Sequence, residues 1–290
     1  MCTAITYKTD RLFFGRTLDY TQSFGENVII CPRNFTIPFK YCNESRQHPA
    51  IIGIGTVRDN FPLYYDAMNE SGLCVAALNF VKSAVYRKPL DGAINLAHFE
   101  IILYFLSSCK SVSEVEKLLP SLNITDDNFL AELPAARLHW LIADSEKNIV
   151  LESTKEGVLW YENPYGIMTN EPPFDKQCEI VKTESADGFS DSSSARFIRA
   201  HKSVLLANNN DGIEGVSRFF HILSRVSRIG SGENERTIYT SCADTKSGIY
   251  YYTTYENRAI TATSLWREGI ADQSLTVYPL SRKENIIRQN

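Results

Sequence analysis

Cys2 stands directly behind Met1, one residue from the start of the chain. Methionine aminopeptidases remove Met before a small residue such as Cys, and that cut would leave Cys2 with a free α-amine. One residue would then carry both a nucleophile and a base. An α-amine titrates at about 7.7 to 8.0, so near neutral pH a useful fraction can take the thiol proton, directly or through one water. The chemistry open to such a pair is attack on a carbonyl carbon. The bland alternative for a lone second-position Cys is a thiol at a frayed terminus, so its context must decide.

No stronger constellation competes. None of the five histidines (His48, His98, His139, His201, His221) forms an H-E-x-x-H pair, and neither a G-x-S-x-G elbow nor a P-loop is present. Gly53-Ile54-Gly55 lacks the third glycine of a dinucleotide loop and sits inside an apolar run. Seven scattered cysteines without a C-x-x-C pair give no redox or zinc motif and read as reduced thiols. Ser107-x-x-Lys110, Ser190-Asp191-Ser192 and Lys246-Ser247-Gly248 imitate the three motifs of penicillin-interacting serine hydrolases. Their context is wrong, because Ser107 falls at the end of a predicted helix and Lys246-Ser247-Gly248 reads as a hairpin turn.

The segment Gly15-Arg16-Thr17-Leu18-Asp19-Tyr20 closes a second strand that, antiparallel to the first, returns to the N-terminus. There a guanidinium could favour the thiolate and a carboxylate could hold the α-amine. Strict alternation points Arg16 and Asp19 to opposite faces, so this pairing requires the strand to end or bulge between them. The alternative for both is a surface ion pair.

The elements that must position these groups are mostly short strands, expected at 4–8, 12–18, 27–31, 50–57, 63–67, 72–80, 138–143, 149–154, 158–161, 237–242 and 248–255. Turn chemistry such as Asn69-Glu70-Ser71-Gly72 joins several of them into antiparallel meanders. Residues 96–109 are apolar almost all round and predict a buried helix. Ser111-x-x-Glu114 is a capping box for a second helix through 119, and 194–206 and 214–228 carry amphipathic spacing. Gly188 to Ser194 reads as a surface loop. The order of elements implies an α+β layered domain with antiparallel sheets, a single domain over 2–290.

With 43% hydrophobic residues in 290, the chain can bury a sizeable core, and a formal net charge of -4 spread without blocks argues against nucleic acid or an anionic membrane as partner. No apolar core follows a basic start at the N-terminus, and the most apolar stretch, Ile101 to Leu106, is too short to span a bilayer. A cytoplasmic protein is the expectation.

Met1-Cys2-Thr3, Phe14-Gly15-Arg16-Thr17-Leu18-Asp19, Ala77-Leu78-Asn79-Phe80, Met168-Thr169-Asn170-Glu171-Pro172 and Glu235-Arg236-Thr237 occur in this order. Together they make the chain resemble the choloylglycine hydrolase family, which comprises bile salt hydrolases and penicillin V acylases. The resemblance implies the αββα sandwich of N-terminal-nucleophile (Ntn) hydrolases, with two antiparallel sheets and no metal or organic cofactor. It implies Cys2 as nucleophile and base, Arg16 assisting its sulfur, Asp19 holding its amine, Asn79 and Asn170 serving the oxyanion hole and substrate positioning, and Arg236 completing the polar cluster.

Asn79 in its Leu-Asn-Phe setting resembles the bile salt hydrolases rather than the acylases, which favours a conjugated bile salt: a rigid apolar steroid with a glycine or taurine tail. Penicillin V or another N-acyl amide, an acyl-homoserine lactone among them, is the alternative within the family. A bile acid or acyl-amide binder without turnover is the non-catalytic reading. Apolar walls for the substrate are expected from Leu18, Phe24, Phe61, Leu133 and Leu138, for each of which core packing is the competing role. One departure is plain. The stretch between Pro172 and Ser192 is shorter than is usual in bile salt hydrolases, where it clasps neighbouring subunits and borders the substrate mouth. A homo-oligomer, dimer or tetramer, is implied by the resemblance, with weakened or altered assembly and a more open pocket implied by the short segment.

Overall fold

The computed structural model describes residues 1–131, 134–183, 190–207, 215–230 and 233–289. A six-stranded antiparallel sheet takes β1 (Cys2–Lys8), β2 (Leu12–Tyr20), β12 (Ile167–Met168), β13 (Arg236–Asp244), β14 (Ile249–Thr254) and β15 (Thr261–Ser264), in the order β12-β1-β2-β13-β14-β15. An eight-stranded antiparallel sheet takes β3 (Asn27–Cys31), β4 (Ile51–Arg58), β5 (Phe61–Asn69), β6 (Cys74–Asn79), β9 (Leu138–Ala143), β10 (Asn148–Thr154), β11 (Gly157–Glu162) and β16 (Thr276–Pro279), in the order β11-β10-β9-β6-β5-β4-β3-β16.

Helices cover the outer faces. α1 (Ile101–Ser108) packs on β5 and β6, whereas α4 (Ser193–Ala207) and α5 (Val216–Ser224) pack on the six-stranded sheet, with α3 (Phe174–Thr183) against α4. β1 and β2 meet β6 between the sheets, so the layers run helix, sheet, sheet, helix. The sequence shows why. On β6, Cys74, Ala76 and Leu78 enter the core between the sheets while Val75 and Ala77 enter the core under α1. A strand buried on both faces reads as a continuous apolar run rather than an alternation, because successive side chains point to opposite faces and both faces are dry.

Two expectations change. The predicted helix 96–109 begins only at Ile101, since Leu96 and Ala97 belong to β7 (Ile94–Ala97), which pairs in parallel with β8 (Leu122–Thr125). Glu100 marks the switch, its carboxylate accepting the amides of Ala97 at 2.8 Å and Lys40 at 2.7 Å. Apolar periodicity alone cannot separate a buried strand from a buried helix turn. The predicted helix 214–228 is α5, trimmed at both ends. The capping box holds: the Ser111 hydroxyl accepts the Glu114 amide at the start of α2 (Val112–Leu118). The Gly188 to Ser194 loop lies partly outside the described residues, and Ser193 already opens α4. Among the described residues no helix is long and apolar enough to cross a membrane.

Candidate active site

Cys2 lies on β1 opposite Leu18 of β2 and is 2% exposed. Residues paired across an antiparallel ladder share a face, and so do Arg16, Leu18 and Tyr20 at alternate positions along β2. All four line one cavity of about 320 Å³. Arg16 is 1% exposed, and its guanidinium donates to the carbonyls of Tyr65 (3.2 Å), Ala77 and Thr17 (3.2 Å). Burial alone would weaken its hold on a proton. The Cys2 sulfur, the Tyr239 phenol and the carboxylates of Asp66 and Asp19 outweigh that and keep it charged.

Asp19 faces the other side of the sheet, where its carboxylate accepts the hydroxyls of Thr237 (2.6 Å) and Thr17 (3.3 Å). Burial raises its proton affinity, opposed by Arg196, the Thr237 hydroxyl, the chain N-terminus and Arg16. The break expected between Arg16 and Asp19 does not occur on β2. The irregularity lies on the partner strand, where Thr237 opposes Asp19 and Tyr239 opposes Leu18, leaving Ile238 extra. No break is needed, because the Cys2 nitrogen belongs to the backbone and lies in the plane of the sheet while its sulfur belongs to one face.

With Met1 attached, that nitrogen is an amide and donates to Asn170 Oδ1 at 2.8 Å, not to Asp19. The Met1 ammonium takes the Asp19 carbonyl (2.8 Å) and Glu235 Oε2 (2.7 Å), and Glu235 is also paired with Arg228 at 2.6 Å. Asn170 in turn donates from Nδ2 to the Asn79 carbonyl at 2.9 Å, and the Asn79 side chain lines the cavity beside Cys2 and Arg16.

Arg236 is not brought into this cluster. It opens β13 opposite Tyr20 and lays its guanidinium over the Tyr255 ring at 5.3 Å. The guanidinium that does reach the nucleophile is Arg196, fully buried on α4, which donates to the Cys2 carbonyl, to the Thr3 hydroxyl (2.7 Å) and to Asn170 Oδ1 (2.8 Å). Sequence reasoning passed over it. The available signal was its place four residues before Ala200 on the inward side of an amphipathic helix, where a charged residue demands a buried partner.

Asp66 on β5 was missed as well. It is fully buried and accepts hydroxyls from Tyr239 (2.6 Å), Ser241 (2.8 Å) and Tyr250, while Ser241 also accepts the Arg16 amide at 3.1 Å. Burial pushes its proton affinity up, and Arg16 and the hydroxyl donors act against that.

Of the expected wall residues, Leu18, Phe24 and Leu138 line the cavity, joined by Tyr20, Phe99 and Phe129 among others. Phe61 stands behind this wall, supporting Phe99 (ring centroids 5.9 Å apart) and Phe129 (5.7 Å). Leu133 lies outside the described residues. The three serine-hydrolase imitations do not assemble: Ser107 ends α1 on one outer layer, and Lys246-Ser247-Gly248 form the turn between β13 and β14 of the other sheet.

Four layers with a cysteine on the first strand that lines a cavity define an Ntn hydrolase. The family of linear amide C–N hydrolases known as the choloylglycine hydrolase family matches residues 2–185 and 188–278, and the chain belongs to it. A bile salt hydrolase/transferase of Lactiplantibacillus plantarum is 40% identical over 314 aligned residues, covering 97% of each chain. One of Clostridium perfringens is 32% identical over 334, covering all of both. Both alignments run longer than 290 residues, so these relatives carry residues that this chain lacks. Among solved structures, the C2A mutant of the conjugated bile acid hydrolase from Clostridium perfringens superposes over both whole chains with a TM-score of 0.93 at 30% identity. A penicillin V acylase from Agrobacterium tumefaciens shares the fold, with a TM-score of 0.78 at 18% identity.

Proposed function

We propose that the protein hydrolyses the amide bond of glycine- or taurine-conjugated bile salts through a Cys2 acyl-enzyme. The observation that carries this reading is the position of Cys2 where a buried polar cluster meets a cavity whose remaining wall is almost wholly aliphatic and aromatic, the match for a rigid apolar acyl group with a short anionic tail. The similarity to bile salt hydrolases over the whole chain supports it.

Once Met1 is removed, the Cys2 amine takes the thiol proton and the sulfur attacks the amide carbon. The oxyanion is received by the side-chain amide of Asn79. The amine then hands its proton to the leaving nitrogen as the C–N bond breaks, which leaves a thioester. Water, deprotonated by the same amine, attacks the thioester and releases the bile acid. Arg16 holds charge beneath the sulfur throughout, and donors aimed at developing charge in a water-poor site act most strongly there. Asp19 steadies the terminus from the opposite face. The short stretch between Pro172 and Ser192 supports a wide cavity mouth and an altered homo-oligomer, for which sedimentation showing a concentration-independent tetramer is the contrary result.

The test is release of glycine or taurine from glycocholate and taurocholate by protein whose N-terminus has been sequenced, with penicillin V and a long-chain acyl-homoserine lactone alongside. Wild type should release the amino acid and Cys2→Ala should not. Equal release by both proteins removes the mechanism. Turnover of penicillin V or the lactone in place of bile salts moves the substrate class, and release from none of them favours a binder.

A further inference from the structure

His139 of β9 and Glu152 of β10 are fully buried, and neither touches the cavity or Cys2. His139 sits between the two chain segments that carry the site's amide side chains. Its Nε2 lies 2.7 Å from the Thr169 carbonyl, the residue before Asn170. Its ring stacks on Phe80, the residue after Asn79, with centroids 4.4 Å apart and planes 5° from parallel. Nδ1 lies 3.2 Å from Glu152 Oε1, and the same oxygen accepts the Phe174 amide at 3.0 Å. Glu152 thereby fixes the far end of the turn that starts at Thr169, and Gln177 fixes its middle by donating to the carbonyls of Asn170 and Pro172.

The hydrogen-bond inventory of the ring decides its state. A carbonyl oxygen only accepts, so Nε2 must carry a hydrogen. A carboxylate oxygen likewise only accepts, so with Glu152 ionised its Oε1 receives both the Phe174 amide and Nδ1, and Nδ1 also carries a hydrogen. An imidazole with hydrogen on both nitrogens is a cation. Its counter-ion is Glu152, and the face of Phe80 adds a cation–π contact. The titratable neighbours that feel Glu152 are Tyr161, pushed up to about 12 by burial, and Cys178, also raised by burial; both are neutral, and both also feel Asp175 in the first turn of α3.

We infer that His139 and Glu152 form a buried ion-paired brace that positions Asn79 and Asn170 together, making both of them positioning residues for the amide-cleaving site. The inference rests on the proposed roles of the two asparagines for its kinetic consequence, but not for its structural content. Removing one partner of a buried pair strands a charge, whereas replacing both by neutral groups does not.

The brace is tested on the full chain in two independent ways. In protein labelled with 15N-histidine, long-range proton–nitrogen spectra at pH 7.5, with His139 assigned from the His139→Gln spectrum, should show hydrogen on both ring nitrogens. A single neutral tautomer overturns the inference whatever the substrate proves to be. With a conjugated bile salt, Glu152→Gln should lower kcat at least about 10-fold while KM moves less than about 2-fold, because the acyl-binding wall is untouched. The double variant His139→Gln, Glu152→Gln, which leaves no stranded charge, should recover part of that loss and serves where the single variant fails to fold. Wild-type kcat in Glu152→Gln, or a double variant worse than the single, overturns it. Loss of activity on every substrate in wild type itself, with both ring nitrogens protonated, would instead count against the proposed function and leave the brace standing.

Discussion

The Cys2 nitrogen donates to Oδ1 of Asn170 across 2.8 Å, joining the first strand to a residue 168 positions later. The same oxygen accepts Arg196, while Asn170 Nδ2 is engaged by the Asn79 carbonyl. Asn170 therefore presents a fixed acceptor to the Cys2 nitrogen, and one of its two Nδ2 hydrogens is taken by the Asn79 carbonyl. Of the two asparagines, Asn79 lines the cavity beside Cys2.

Replacing Asn170 by Ala should lower kcat by about 10²-fold, roughly 2.7 kcal/mol of barrier, with little change in KM. Asn170→Asp adds a negative charge beside the amine, which favours the ammonium form. The base is then available only at higher pH, and the acid limb of the kcat profile should move towards alkaline pH. Steady-state kinetics of both variants from pH 5 to 9 decide this, and an unmoved limb in Asn170→Asp would show that the oxygen does not govern the amine.

Arg196 and Arg236 make a second contrast. Arg196 touches the Cys2 carbonyl, Thr3 and Asn170, whereas Arg236 rests on Tyr255. Arg196→Lys keeps charge but loses the planar fork that reaches several oxygens at once. It should cost at least about 10-fold in kcat/KM, an amount near 1.4 kcal/mol. Arg236→Ala should stay within about 3-fold of wild type, as expected for an aromatic contact outside the cluster. The reverse order of effects would restore Arg236 to the site.

Asp66 accepts three hydroxyls with two oxygens and carries the charge opposite buried Arg16. Asn in its place has one acceptor oxygen and two donor hydrogens, so at least one tyrosine or serine hydroxyl loses its partner and the guanidinium loses a compensating charge. Breaking such a pair costs about 3 to 5 kcal/mol. Thermal unfolding of Asp66→Asn should fall by roughly 6 to 20 °C at about 2 to 4 °C per kcal/mol. A change under 2 °C would mean that Arg16 is balanced elsewhere.

These groups were unequally legible in the sequence. β3 and β9 were bounded correctly because turn residues or polar residues flank short apolar runs, and the layered α+β arrangement followed from their order. Cys2, Arg16 and Asp19 could be named because a nucleophile at a chain terminus constrains what must surround it, whereas Asn79 and Asn170 came only from the resemblance to the family. Asp66, Arg196 and the His139–Glu152 pair could not, since each owes its role to a partner between 13 and 194 residues away. A charge on the inward side of an amphipathic helix, as at Arg196, signals burial, but only the assembled layers show which partner it meets. β7 and β8 were hidden for a related reason, as a parallel pair needs a long crossover and leaves no hairpin turn to read.

His98 supplies the last expectation. It lines the cavity between Tyr86, stacked at 5.6 Å, and the edge of Phe99, and its Nε2 accepts the Ala136 amide at 3.1 Å. Burial lowers its pKa to about 4, only partly opposed by Asp127. An unfolded histidine titrates near 6.5, so between these values the unfolded chain binds a proton that the folded chain refuses. The contribution of His98 to stability is therefore fully present above about pH 6.5 and is lost as pH falls towards 4, by an amount on the order of 3 kcal/mol. His98→Asn retains an acceptor for the Ala136 amide but cannot titrate. Urea unfolding at pH 7 and pH 4.5 should show wild type losing about 2 to 3 kcal/mol relative to the variant over that interval. Parallel losses in the two proteins would mean that His98 takes up its proton while folded, with a cation then standing in the wall of the acyl cavity.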